Sequence, residues 1–318
     1  MKSRVLVVRK RSSLERYLEG KADTRAADLL AKGDPVVSKW RIAHEAHQAA
    51  LATVLSALED LGVDTTVRSL KEPLPDTAHF QLVVTVGGDG TLLGTSHAMG
   101  SGVPVLGVNS APGLSVGFFC ATDARGAKEQ LRAALEGTLG SVQLTRMRIV
   151  RNGTEELTRR VLNEILFCHN SPAATSRYLL SAPRGPRTRR ETHTEDQRSS
   201  GLWVGPPAGS TAAQRSAGGK VLPLTAATLQ FVVREPYVPL GERLALRRGL
   251  IAEDETLTIR SKMRNSKIFV DGEELVLPVE LGDVLLLSCS PEPLVVLGLE
   301  GDGGAGAVET ARKKRRPH

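Results

Sequence analysis

The residues whose types and spacing could do chemistry begin with Val86-Gly87-Gly88-Asp89-Gly90-Thr91. The run Phe80 to Thr85 before it is apolar and β-branched and reads as a buried strand. Leu92 to Met99 after it can open a helix. Strand, glycine turn and helix together make a layout that binds phosphate. Gly87, Gly88 and Gly90 let the backbone approach a ligand, and free N–H groups at a helix start point at an anion. Asp89 is the unusual member. A carboxylate beside phosphate costs Coulomb energy unless it takes a proton from an attacking hydroxyl or holds a metal that neutralises the phosphates. The turn therefore points to phosphoryl transfer to an alcohol. The alternative is a tight turn whose Asp caps the helix.

Two further stretches bear on chemistry. Asn163-Glu164 interrupts the strand-like run Arg160 to Phe167, so one of the two polar side chains would face inward and need a partner. A strand end at the surface is the alternative. Gly205 to Gly219 is built almost wholly of small or turn-forming residues and offers the hydroxyls of Ser210, Thr211 and Ser216. Such a stretch packs no core but lets a flat ligand lie on backbone; a flexible linker is the alternative.

The elements that must position these groups follow from periodicity. Val5 to Val8 is a short strand, and Arg9, Lys10 and Arg11 after it read as a solvated loop. Ser38 to Leu61 carries Ile42, Ala46, Ala50, Val54, Ala57 and Leu58 at helical spacing, closed by Gly62. Val63 to Val67 and Val103 to Asn109 read as strands, and Thr122-Asp123 as the cap of a helix through Leu135. Alternation of this kind indicates a parallel sheet covered on both faces, with ligands beyond the C-terminal strand ends. From about Ser141 the texture becomes short β segments with Gly and Pro punctuation, which predicts a β-rich second domain. Pro183 to Arg198 is arginine-rich and reads as a mobile loop, or as a lid that closes on phosphates. The expected organisation is an α/β domain over 1–124, a β-rich domain over 125–289, and a segment 290–318 that returns to the first domain and ends in a disordered basic tail.

Composition bounds the rest. The length of 318 residues suits two domains. Of the net charge of +7, five charges come from Arg312 to Arg316, so the body is mildly basic, which fits an anionic small substrate as well as it fits nucleic acid. An aromatic content of 3% argues against a stacking platform for nucleic acid, and no apolar run reaches membrane-spanning length. Cys120, Cys168 and Cys289 show neither metal spacing nor a disulfide framework, which fits a reducing cytoplasm, as does an N-terminus without a signal-peptide pattern.

Taken in order, Gly-Gly-Asp-Gly-Thr, Asn-Glu and Gly-Ser-Thr-Ala…Ser-Ala-Gly-Gly resemble the NAD kinase family over about residues 80–290. Arg198-Ser199-Ser200-Gly201-Leu202 and Leu229 to Pro236 look most like its plant-type branch, which prefers NADH. The resemblance implies an α/β N-terminal domain with a parallel sheet and a β-sandwich-like C-terminal domain. It implies transfer of the ATP γ-phosphoryl group to the 2′-hydroxyl of the adenosine ribose of NAD(H), with Mg²⁺, in a dimer or tetramer. Asp89 matches the catalytic aspartate, with Gly87, Gly88, Gly90 and Thr91 at the phosphates. Asn163, Glu164, Thr211, Ala212 and Ser216 match positions that contact the dinucleotide. In the family, Ser200 and Ala213 stand near the nicotinamide end, where many members carry Asp and Tyr; loss of that carboxylate tilts the expected preference toward NADH or relaxes it between the two forms. Val116-Gly117-Phe118-Phe119 only approximates the family's Leu-Gly-Phe-Leu element. Rival readings are a lipid or sugar kinase sharing the glycine turn, a non-catalytic NAD(P)(H)-binding sensor, and a nucleic-acid-binding role for the tail.

Overall fold

Val5 to Val8 and Leu82 to Val86 offer almost nothing to water, and in the computed structural model both become inner strands of a parallel sheet. The structure describes residues 3–18, 23–185, 190–241 and 243–299. The chain divides into two units: one runs to Val142 and takes up the chain again at Leu294, and the other spans Gln143–Pro293.

The first unit is built in chain order from β1 (Arg4–Arg9), α1 (Ser13–Leu18), α2 (Thr24–Ala31), α3 (Ser38–Asp60), β2 (Asp64–Ser69), β3 (Leu82–Gly87), α4 (Asp89–Ser96), β4 (Val105–Asn109), β5 (Thr122–Asp123), α5 (Ala127–Leu135) and β6 (Ser141–Leu144). Strands β2, β1, β3 and β4 lie side by side and parallel. Ala50, Leu51, Val54, Ala57 and Leu58 of α3 pack on Val5, Val7, Val84 and Val86, so the helical stripe and the strands bury each other. Gly62 ends that helix at φ +68°, as its position predicts. Ile42, expected in the stripe, is exposed, because the buried stripe starts at His47.

Among the described residues the second unit is β apart from α6 (Ala213–Ser216) and the 3₁₀ turn Pro207–Thr211. Its strands are β7 (Met147–Arg151), β8 (Glu155–Val161), β9 (Ile165–His169), β10 (Ser176–Arg184), β11 (Glu191–Ser199), β12 (Gly201–Gly205), β13 (Thr228–Arg234), β14 (Arg248–Ala252), β15 (Leu257–Ser261), β16 (Ser266–Val270), β17 (Leu275–Val279) and β18 (Val284–Cys289). They form two six-stranded antiparallel sheets, β11-β10-β15-β18-β7-β8 and β14-β13-β12-β9-β16-β17. Alternate residues of both sheets, among them Ile149, Phe167, Tyr178, Leu202, Phe231 and Ile259, share one core, which makes the unit a sandwich. After β18 the chain returns as β19 (Leu294–Leu297), which lies between β4 and β6 in the first sheet.

Four sequence expectations change. The first unit extends past residue 124 to Val142, because Ala127 and Leu131 of α5 are buried in its core. That helix starts at Ala127; Thr122-Asp123 pairs with β4, and the Asp123 carboxylate turns to Arg125. Pro183 to Arg198 is not a free loop where it is described: Ser176–Arg184 and Glu191–Ser199 pair along their whole length as a hairpin. Residues 186–189, and the glycine-rich and basic segment 301–318, lie outside the described residues. Finally, Arg9 and Lys10 do not sit in a solvated loop. Arg9 pairs with the buried Glu15 at 2.9 Å, and burial lowers the Lys10 pKa. Among the described residues no helix is long and apolar enough to cross a membrane.

Phe167 is fully buried, with its ring edge-on to Tyr178 at 5.4 Å between centroids. Phe167→Ala is expected to cost the second unit about 3–5 kcal/mol, read as an earlier midpoint in denaturant unfolding followed by Trp203 fluorescence.

Candidate active site

In the first unit the candidate site is the junction of β3 and α4. Gly88, with extended backbone at φ −122° and ψ −165°, is the N-cap of α4, and Asp89 is the first helical residue. A Cβ on Gly87 would lie 2.0 Å from Thr91 Oγ1, so glycine is required for the first turn of the helix to fold back this closely. The cap carries no side-chain hydrogen bond. The Asp89 carboxylate is instead held from 30 residues away, where the Phe119 N–H donates to its Oδ1 at 2.8 Å. The helix-capping alternative for Asp89 therefore does not apply.

The segment that supplies Phe119 is itself fastened to the end of β4. Asn109 Oδ1 accepts from Ser115 Oγ at 2.8 Å and from the Ala111 N–H at 3.1 Å. The Ser110 N–H donates to Gly87 O at 2.8 Å, which ties this segment to the glycine turn. Gly117 turns at φ +64°, where a Cβ would sit 2.3 Å from Asn109 Nδ2. Cys120 beside it has its thiol pushed up to about 12 by burial and by the negative charge of Asp89. Burial and that charge therefore disfavour the thiolate form of Cys120.

The second unit holds a candidate site of its own, in the sandwich. The expected single strand across Arg160 to Phe167 is broken at Leu162-Asn163-Glu164, between β8 and β9, because these three backbone N–H groups turn away from the ladder. All three donate to one carboxylate, that of Asp271, at 2.9, 2.7 and 3.0 Å. Asn163 Oδ1 and Glu164 Oε2 are buried and have no hydrogen-bond partner. Burial, with a smaller contribution from the Asp271 charge, raises the Glu164 carboxyl to about 7. Two unpartnered acceptors so placed are costly unless a ligand brings donors to them.

The glycine-rich stretch packs against this elbow. A Cβ on Gly209 would lie 1.9 Å from Asn163 O and 2.7 Å from Glu164 Oε2, and one on Gly205 would lie 2.2 Å from Asn163 O. The stretch is therefore an ordered loop, not a linker. Pro207–Thr211 forms a 3₁₀ turn, and Ser210 Oγ accepts from the Leu222 N–H at 2.9 Å. Ala212 is the N-cap of α6. Ser216 ends α6 and is exposed. Gln214, fully buried, accepts from Gln230 Nε2 at 3.1 Å, and Gln230 Oε1 accepts from the Lys220 N–H at 2.7 Å, which braces both ends of the loop. Ser200 joins β11 to β12, its N–H donating to Arg234 O.

The structure thus groups Gly87 to Thr91 in the first unit, and Asn163, Glu164 and the loop carrying Thr211 and Ala212 in the second. Asp271 and Gln214 escaped the sequence reading of the site. Asp271-Gly272 between two apolar runs was a hairpin signal, and only the fold shows what its carboxylate holds. Among the described residues no group of three His, Cys, Asp or Glu side chains could hold a metal ion.

A carboxyl with its native pKa above its unfolded value binds more protons when folded, so stability falls as pH rises between the two values. For Glu164 that window runs from about 4.5 to about 7. The stability of Glu164→Gln relative to wild type should therefore rise across it by on the order of 2 kcal/mol, measured by urea unfolding at several pH values.

Known proteins are similar to this chain. A family model described as the ATP-NAD kinase N-terminal domain matches residues 27–139. A protein of Oryza sativa subsp. japonica named "Probable NADH kinase" is 33% identical over 269 residues, which cover 79% of this chain and 81% of that protein. The "NADH kinase" of Arabidopsis thaliana is 35% identical over 234 residues, covering 69% of this chain and 72% of its own. The crystal structure of yeast NADH kinase complexed with NADH superposes with a TM-score of 0.70 at 14% identity, over 100% of this chain and 90% of that one, and so shares the fold. Sequence identity of 33% sustained over 79% of its length is more than a common architecture produces, and this chain belongs to the NAD kinase family.

Proposed function

We propose that this chain is an NAD(H) kinase that transfers the γ-phosphoryl group of ATP to the 2′-hydroxyl of the adenosine ribose of NAD⁺ or NADH, giving NADP(H) and ADP. The observation that carries this reading is the fixed Asp89 carboxylate. It sits in a glycine turn at a strand–helix junction, held by the Phe119 N–H and excused from capping its own helix. Asp89 is the base that takes the ribose hydroxyl proton as the oxygen attacks phosphorus and ADP departs. The backbone around Gly87, Gly88, Gly90 and Thr91 supplies N–H groups to the phosphates.

Asn163 and Glu164 receive the dinucleotide. Their buried, unpartnered Oδ1 and Oε2 suit ribose hydroxyls, which are donors. Thr211, Ala212 and Ser216 line the same ligand, and the first and second units serve ATP and dinucleotide respectively. Mg²⁺, which would neutralise the nucleotide phosphates, usually keeps several waters and binds substrate phosphates instead of a dedicated protein cage, so it needs no coordination from Asp89, which remains the base. The three thiols are free, in keeping with a reducing compartment.

Ser200, where many members have Asp, leaves the nicotinamide end without a negative charge, and the plant relatives carry the name NADH kinase. The chain therefore prefers NADH.

Asp89→Asn keeps the side-chain size and removes the base. Its rate of NADP(H) formation with ATP and Mg²⁺ should fall by roughly two to four decades. An undiminished rate would remove Asp89 from the chemistry, and no product from wild-type protein with either dinucleotide would overturn the kinase assignment. Ser200→Asp should move the ratio of kcat/KM for NAD⁺ over NADH upward by about three- to tenfold, through attraction of the cationic ring; an unchanged ratio places selectivity elsewhere.

A further inference from the structure

Asp271 lies 107 residues beyond Glu164, in the tight turn between β16 and β17. Val270 pairs with Ile165, so this turn runs directly beside the chain that enters β9. The Asp271 N–H donates to Glu164 O at 2.9 Å, which continues the ladder by one more rung. Its carboxylate then takes the N–H groups of Leu162, Asn163 and Glu164, with Oδ2 on the first and Oδ1 on the other two. Three successive amides converging on one anion cannot be matched by a neutral side chain: an amide at this position would present a donor where one oxygen now accepts.

The position is held at some conformational cost. Asp271 adopts φ +49°, in the left-handed region, and Gly272 follows at φ +128°. Asp tolerates this conformation better than most residues, and the turn is secured by its hydrogen bonds to the elbow. On the opposite side Gly205 and Gly209 close on Asn163 O without room for a side chain. The elbow is thus clamped between a carboxylate and two glycines, and the direction of the Asn163 and Glu164 side chains follows from that clamp.

We propose that Asp271 is the positioning residue for dinucleotide binding, holding the 162–164 backbone so that Asn163 Oδ1 and Glu164 Oε2 face the ribose hydroxyls of NAD(H). The proposal rests on the reading of Asn163 and Glu164 as dinucleotide ligands. It assigns Asp271 no contact with substrate; its effect on the dinucleotide passes through the elbow.

The test is steady-state kinetics of Asp271→Asn in the full chain with NADH and ATP varied in turn. The KM for NADH should rise about tenfold, the loss expected when one charge-assisted hydrogen bond is removed, while the KM for ATP and kcat stay within about twofold. In an Asn163→Ala, Glu164→Gln background the same change should add less than about twofold, because residues acting through one unit are not additive. An unchanged NADH KM, an equal rise in both KM values, or a full-sized rise in the double-variant background would each overturn the proposal. If the double variant itself binds NADH as wild type does, the ligand reading fails and the proposal with it; if it is impaired while Asp271→Asn is not, only the proposal fails. Should Asp271→Asn not fold, amide exchange in the wild-type protein decides the matter. NADH should slow exchange at Leu162, Asn163 and Glu164 further, and exchange there at the rate of an unprotected loop would overturn the assignment.

Discussion

A carboxylate that opens a helix ordinarily turns back on the helix's own free amides. Asp89 does not, and the arrangement of the first unit follows from that one diverted hydrogen bond. Phe119 can reach it only because Asn109, at the end of β4, folds the segment that follows back across the glycine turn. Gly107 makes the same approach possible from within the strand: a Cβ there would lie 2.6 Å from Phe119 O. The parallel pairing of β3 with β4 sets Gly87 opposite Asn109 and so places both ends of the device at one edge of the sheet. A reactive carboxylate needs restraint from a group that does not neutralise it, and a backbone N–H meets that requirement.

The second unit solves a related problem with the same chemistry. There too an aspartate takes backbone N–H groups from a distant part of the chain, but the carboxylate is the fastener and the residues it fastens carry the unpartnered acceptors. Asp271 secures a break between two strands, a place where backbone groups leave the ladder and must be satisfied in some other way. The unsatisfied atoms that remain, Asn163 Oδ1 and Glu164 Oε2, belong to side chains on rigid backbone. Their desolvation is a cost that the sandwich core, shared by both sheets, offsets.

Glycine has different uses in the two places. At Gly87 and Gly209 the issue is space, since a single methyl would collide with Thr91 or Asn163. At Gly117 and Gly272 the backbone angle itself is positive. A glycine-rich motif in the sequence marks both situations alike, and only coordinates separate them.

The sequence by itself determined the α/β class of the first unit, the β-rich class of the second and the three motifs that mark the family. These are encoded locally: β-branched runs, a 3.6-residue stripe on α3, and glycine turns read the same in any context. It also located Asp89, Asn163 and Glu164, because charged or amide residues inside apolar runs stand out. What only the tertiary structure decided is who holds whom. That Asp89 bonds Phe119 instead of capping α4, that Asp271 rather than a neighbour secures the elbow, and that Gln214 and Gln230 brace the glycine loop all depend on pairings between distant segments. The same holds for the hairpin at Ser176–Ser199, whose charged residues read as a loop because an edge strand has one face in water and little hydrophobic pattern to show. Local sequence specifies which backbone conformation a segment prefers; the partner of a buried polar group is chosen by the sheet register that brings it within hydrogen-bond distance.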